Sequence, residues 1–158
     1  MKKILSLLLI LTLIFGFLGV KKTQAQKEFF LVLTIGLKSY VLNGMQLQMD
    51  VSPEIISGRT FVPIRLVAET FGAEVGWDGN LREVTIKQDT KVIKLRIGSK
   101  IATIDGKSYE LEAAPYIKSG RTMVPIRFIS EALGLSVYWE PQRQLVYIRS
   151  KTKYEVPG

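Results

Sequence analysis

The stretch SGRTFVPIRLVAETFG (Ser57 to Gly72) is answered 62 residues later by SGRTMVPIRFISEALG (Ser119 to Gly134). Extended at the same offset, Gln26 to Lys87 aligns with Gln88 to Arg149 without a gap, and 22 of the 62 positions are identical. Unrelated sequences of ordinary composition would agree at roughly 4 of them. The chain therefore reads as two tandem repeats, 26–87 and 88–149. A 62-residue unit sits near the lower size limit for independent stability, whereas two together can bury a proper core, so the expectation is one domain over 26–149.

Inside the quoted stretch, Arg59-Thr60-Phe61-Val62 reads as extended. Pro63 and Pro125 suit a first helical position, where a missing N–H has no partner to lose. Ile64, Val67, Ala68 and Phe71 fall at i, i+3, i+4 and i+7 and make one apolar stripe; Ile126, Ile129, Ser130 and Leu133 repeat it. Gly72 and Gly134 stand where a left-handed C-terminal cap belongs. A helix this short persists only when packed on a sheet.

Working outward, Phe29 to Ile35 and Val92 to Ile97 read as opening strands, closed by Gly36 and Gly98. Asn43-Gly44 and Asp105-Gly106 are hairpin turns of the type that needs two positive φ angles. Alternation after the first turn predicts that Met45, Leu47 and Met49 face inward and Gln46 and Gln48 face water. A second hairpin joins Val75-Gly76-Trp77 to Val84-Thr85-Ile86 through Asp78-Gly79-Asn80, with Val75, Trp77, Val84 and Ile86 on the helix-covered face. The prediction is an α+β fold, antiparallel sheet with short helices on one face, built from two tandem ββ(β)αββ repeats forming a single domain.

The chain opens with Met1-Lys2-Lys3, an apolar run from Ile4 to Val20, and polar residues ending in Ala25. This pattern predicts a signal peptide over 1–25 and a mature start at Gln26, where the first repeat begins. The 17-residue run, followed by Lys21 and Lys22, leaves an uncleaved membrane anchor as the alternative. Removing 1–25 takes away four lysines and no acid, lowering the formal charge from +8 to +4. The remaining Lys and Arg are scattered among acids, against nucleic-acid binding. Residues 150–158 lack apolar periodicity and read as a flexible tail.

The chain has no histidine and no cysteine. The commonest general base, the commonest metal ligand and every thiolate site are thereby excluded, and the acids are spread singly, so no catalytic, metal or cofactor residues are predicted. Asp78-Gly79-Asn80 approaches a calcium loop but is better explained as a turn. Arg65 with Glu69, and Arg127 with Glu131, are four apart and read as intrahelical or helix-to-loop ion pairs. Arg59 and Arg121, just before the helices, recur with the repeat and are likewise assigned to the fold. Trp77 and Trp139 invite sugar stacking, but their period-2 relation to Val75 and Val137 assigns them to the core.

The repeats differ where Gly76 and Thr85 become Tyr138 and Tyr147, on the outward face of one hairpin. Two such rings could form a stacking platform, or a cross-strand pair that only stabilises the hairpin. Tyr138, Tyr147 and Arg149 are therefore the candidate ligand-binding surface.

With its two GRT-[FM]-V-P-I-R-x-[IV]-x-E-x-[FL]-G segments, each followed by V-x-W, the chain from about Ile35 to Arg149 resembles the copper amine oxidase N-terminal-like domain, also called the stalk domain. The resemblance implies an extracytoplasmic bacterial protein and an α+β fold with antiparallel sheet. It implies no copper chemistry, which in that family belongs to a separate domain with three histidines and a tyrosine-derived quinone. The expectation is a secreted or cell-envelope module that is not an enzyme and binds a cell-wall polysaccharide or an envelope protein. The alternative is a structural spacer or oligomerising subunit using its sheet edges. Contact with a membrane is expected only through an uncleaved signal segment.

Overall fold

The computed structural model describes residues 28–150. The segment read as a signal peptide, and the tail beyond Ser150, lie outside the described residues. Five strands precede the first helix: β1 (Phe30–Thr34), β2 (Ser39–Leu42), β3 (Met45–Gln48), β4 (Glu54–Ile56) and β5 (Arg59–Pro63). Helix α1 (Ile64–Thr70) leads to the hairpin β6 (Glu74–Asp78) and β7 (Glu83–Gln88). The same order follows as β8 (Lys91–Arg96), β9 (Ile101–Ile104), β10 (Lys107–Glu110), β11 (Tyr116–Lys118), β12 (Arg121–Pro125), α2 (Ile126–Ala132), β13 (Leu135–Glu140) and β14 (Leu145–Ser150). The fold is α+β, mostly antiparallel sheet with two short helices.

The strands divide into three sheets rather than one, in the orders β13-β14-β1-β2-β3, β10-β9-β8-β7-β6 and β11-β12-β5-β4. The first sheet joins the opening strands of the chain to its closing hairpin, with Leu31 opposite Ile148. The second joins the middle hairpin to the strands that follow it, with Ile86 opposite Ile93. In the third, Val62 stands opposite Val124. One buried cluster draws on all three sheets and both helices, including Leu31, Leu33, Val62, Val67, Ile86, Ile93, Val124, Ile129 and Ile148. A smaller cluster of Val51, Phe61 and Met123, with Ala113 and Tyr116 packed on it, fills the other face of the third sheet.

Local chemistry explains the element ends. Asn43 and Gly44, and Asp105 and Gly106, all have positive φ, as two-residue primed turns require. Pro63 and Pro125 are the last residues of their strands and the N-caps of the helices, so each helix begins one residue later than expected. Gly72, with φ +84°, closes α1 in a Schellman arrangement: its N–H donates to Glu69 O at 3.1 Å and Ala73 N–H donates to Ala68 O at 3.0 Å. Gly134 N–H likewise donates to Glu131 O at 3.2 Å. The predicted stripes point inward, with Ile64, Val67 and Ala68 buried on α1 and Ile126, Ile129 and Ser130 buried on α2. Ser130 is accommodated because its hydroxyl donates to Arg127 O at 2.8 Å.

Four expectations are corrected. Strands β4 and β11 were not foreseen; each turns through Ser-Gly, at Ser57-Gly58 and Ser119-Gly120, with positive φ at all four residues. Met45 and Leu47 are exposed, Met45 at 62 %, on β3, which is an edge strand; of the three, Met49 alone is buried. Trp77 and Trp139 are 45 % and 36 % exposed and do not belong to the core. Ser150 closes β14 rather than opening a tail.

Candidate aromatic binding face

Tyr138 and Tyr147 are directly opposite in the β13–β14 register, with ring centroids 5.9 Å apart and planes inclined at 44°. A third ring, not foreseen from sequence, continues the row: Phe30 on β1 lies 5.8 Å from Tyr147, inclined at 34°. Strand β1 pairs with β14 so that Val32 faces Tyr147 and Phe30 faces Arg149, which puts the Phe30 and Tyr147 rings on one diagonal. Phe30 is held there by its own N–H, which donates to Asn43 Oδ1 at 2.8 Å, so the hairpin turn fixes the end of the row. The only sequence signal for Phe30 was its place at the head of a strand. Its partner could not be read without knowing that the first strand crosses to the last hairpin.

The three rings lie on the sheet face opposite the core. Leu31, Leu33, Val146 and Ile148 fill the other side. Tyr138 is 64 % exposed. With Ser136, Val137, Glu140 and Arg149 the rings line an open cleft of about 540 Å³. Each ring is inclined to the next, so the surface is a twisted apolar strip with a hydroxyl, a carboxylate and a guanidinium along it. Such a strip can stack on the apolar faces of a ligand while its rim accepts and donates hydrogen bonds.

The corresponding concavity in the second sheet, 62 residues earlier, measures about 390 Å³ and is lined by Glu74, Gly76, Trp77, Asp78, Thr85 and Lys87 among others. There Gly76 faces Thr85 and Thr85 faces Lys94, where the first sheet has Tyr138, Tyr147 and Val32. Similar backbone thus carries a row of aromatic rings in the first sheet and a more polar surface in the second.

The motif arginines are engaged in contacts between segments. Arg121 Nε donates to Asp50 Oδ2 at 2.9 Å, and Arg59 Nε lies 3.8 Å from Glu112 Oε2. Arg65 Nη1 reaches both Glu69 Oε1 at 2.9 Å and Val75 O at 3.1 Å. Arg127 instead donates to Glu112 Oε2 at 3.2 Å, and among the described residues no ion pair joins it to Glu131. Trp77 lines a cleft of about 420 Å³ with Ile117, Arg65 and Arg121.

The third sheet contains one tight polar cluster. Glu54 accepts hydrogen bonds from Tyr116 Oη and Lys118 Nζ. The Lys118 hydrogen bond, helped by Tyr116, holds the Glu54 carboxyl below its usual range; burial and the neighbouring carboxylate push the Tyr116 phenol up. Phe61 meets the Tyr116 ring edge-on at 5.0 Å. Among the described residues no group of three or more His, Cys, Asp or Glu side chains could hold a metal ion, and no helix is long and apolar enough to cross a membrane.

Comparison with known proteins agrees with the motif. The primary amine oxidase of Klebsiella aerogenes is 33 % identical over 97 residues, covering 60 % of this chain and 13 % of that enzyme. The chain therefore spans only a small fraction of that relative's length. The family model described as copper amine oxidase N-terminal domain matches residues 26–148, nearly all of the described structure. The chain belongs to the copper amine oxidase N-terminal domain family.

Proposed function

We propose that the chain is a secreted or envelope-held, non-catalytic module that binds a cell-wall glycan on the Phe30–Tyr147–Tyr138 face. The observation that carries this reading is the row of three rings with centroids less than 6 Å apart on an open sheet face. Pyranose rings offer flat C–H faces that suit aromatic stacking, and Ser136, Glu140 and Arg149 supply polar contacts beside the rings. The absence of histidine and cysteine from the sequence supports a binding role over catalysis. The basic-apolar start of the chain supports export.

The tandem repeat is the building principle of this module in our reading. Residues 62 apart meet at Val62 and Val124, and the first and second sheets each combine strands from before and after residue 88. Residues 26–149 then form one domain in which neither copy keeps its strands to itself.

Pull-down on purified peptidoglycan and wall polysaccharide tests the glycan reading. Wild type is retained and Tyr138→Ala/Tyr147→Ala is released; equal retention of both, or of neither, contradicts it. An envelope protein as ligand would appear as loss of retention once the polysaccharide is stripped of protein.

A further inference from the structure

The two edge strands that occupy matching places, β6 and β13, are finished differently. On β6 the Val75 carbonyl is taken by Arg65 Nη1 at 3.1 Å, the central residue is Gly76, and acids stand at both Glu74 and Asp78. A capped carbonyl and flanking charges are how proteins blunt a sheet edge. On β13 only one of the two acids is kept, Glu140 in the place of Asp78, while Ser136 stands in the place of Glu74. Arg127 turns to Glu112, and the exposed Tyr138 replaces Gly76 between the valine and tryptophan that both strands share, so bulky side chains run without a break from Val137 to Trp139. Among the described residues β13 pairs only with β14, which leaves its other edge open.

We infer that the β13 edge is a self-association site, taking β13 of a second copy of this chain in antiparallel register centred on Tyr138. Charge decides among the pairings available. Two β6 edges centred on Gly76 would set Glu74 opposite Asp78 of the other copy twice over, and like charges directly opposite are destabilising. A β6 edge against a β13 edge sets Glu74 opposite Glu140 once. Two β13 edges set Ser136 opposite Glu140 twice, an arrangement in which a hydroxyl can donate to a carboxylate, and no like charges meet. On the other face Val137 stands opposite Trp139, a favourable β-branched–aromatic pair. The same ranking disfavours head-to-tail growth and selects a closed two-fold dimer. In it the Tyr138 rings of both copies meet, and the row Phe30, Tyr147, Tyr138 continues into its mirror sequence across ten strands. The inference goes beyond the glycan reading and is measured without glycan, so either can fail alone.

The chain lacks cysteine, so single introduced thiols report this contact directly. In the full chain kept in mild detergent, Tyr138→Cys forms disulfide-linked dimers on gentle oxidation, and Gly76→Cys, at the matching place on β6, does not. Sedimentation of Ser136→Glu, which restores the β6 charge pattern with the rings intact, shows dimerisation weakened about fivefold relative to wild type. Equal cross-linking at both positions, none at Tyr138→Cys, or unchanged association of Ser136→Glu overturns the proposal. Because Ser136→Glu alters one half-buried strand position that borders the open cleft, its result stands even if the cysteine variants fold poorly.

Discussion

Val62 and Val124, 62 residues apart in sequence, stand directly opposite each other in the third sheet, and both are fully buried. The pairing of Phe61 with Pro125 and of Pro63 with Met123 surrounds them. Each half of the chain thus completes the other at this point, and again where β1 meets β14 and β7 meets β8.

This interlocking predicts one cooperative unfolding transition. Ile148→Ala, in a strand paired with the opposite end of the chain, should cost about 2–5 kcal/mol and lower the midpoint for the whole domain. Circular dichroism and intrinsic fluorescence should report the same shifted midpoint. Two separated transitions would mean that the halves fold independently.

The Glu54 cluster predicts an acid limb. Its carboxyl is held below its unfolded value, so the stabilisation is full above the unfolded pKa and is lost as pH falls through the folded one. Tyr116 is raised, so its contribution is full below the ordinary phenol value and is lost as pH rises beyond it. Urea midpoints measured across pH should therefore flatten at the acid end in Glu54→Gln and at the alkaline end in Tyr116→Phe. An unchanged pH profile in both variants would remove the cluster from the stability account.

Gly72 separates conformational cost from crowding. A Cβ there would meet nothing within 4 Å, but φ is +84°, so Gly72→Ala should cost about 1–2 kcal/mol through backbone strain alone. Thermal denaturation of Gly72→Ala beside Gly72→Asn checks this, since Asn tolerates the left-handed region better and should recover part of the loss.

Much of the fold was legible because its signals are local. The stripe Ile64, Val67 and Ala68 follows from period alone, and the Asn43-Gly44 and Asp105-Gly106 turns from their φ requirement. Period 2 correctly put Trp77 on the same face as Val84, its register partner, but a face is not a cover. The sequence does not say how much of that face the two-turn helix covers, and Trp77 is left 45 % exposed. Met45 and Leu47 mislead similarly, since alternation on an edge strand has no layer to bury it. Strand β4 is only three residues long and follows Pro53, too brief to register as a pattern. At the site, Tyr138 and Tyr147 were found as places where the halves disagree. Phe30 was not, because self-similarity gives no hint that a first strand pairs with the last hairpin.

The second sheet offers a gain of function. Gly76 has no positive φ, and a Cβ there would meet only Thr85 O, at 3.9 Å, so the backbone accepts a side chain. Gly76→Tyr/Thr85→Tyr should therefore fold normally and present a second ring pair.

Calorimetric titration with soluble wall-glycan fragments tests the aromatic face most directly, comparing wild type, Tyr138→Ala, Tyr147→Ala and Gly76→Tyr/Thr85→Tyr. The expected result is a roughly two- to tenfold loss of affinity for each ring removed, the scale of an aromatic contact, and an increased binding capacity in the double-tyrosine variant. Wild-type binding that is unaffected by removing either tyrosine, or no binding by any of the four proteins, would contradict the account.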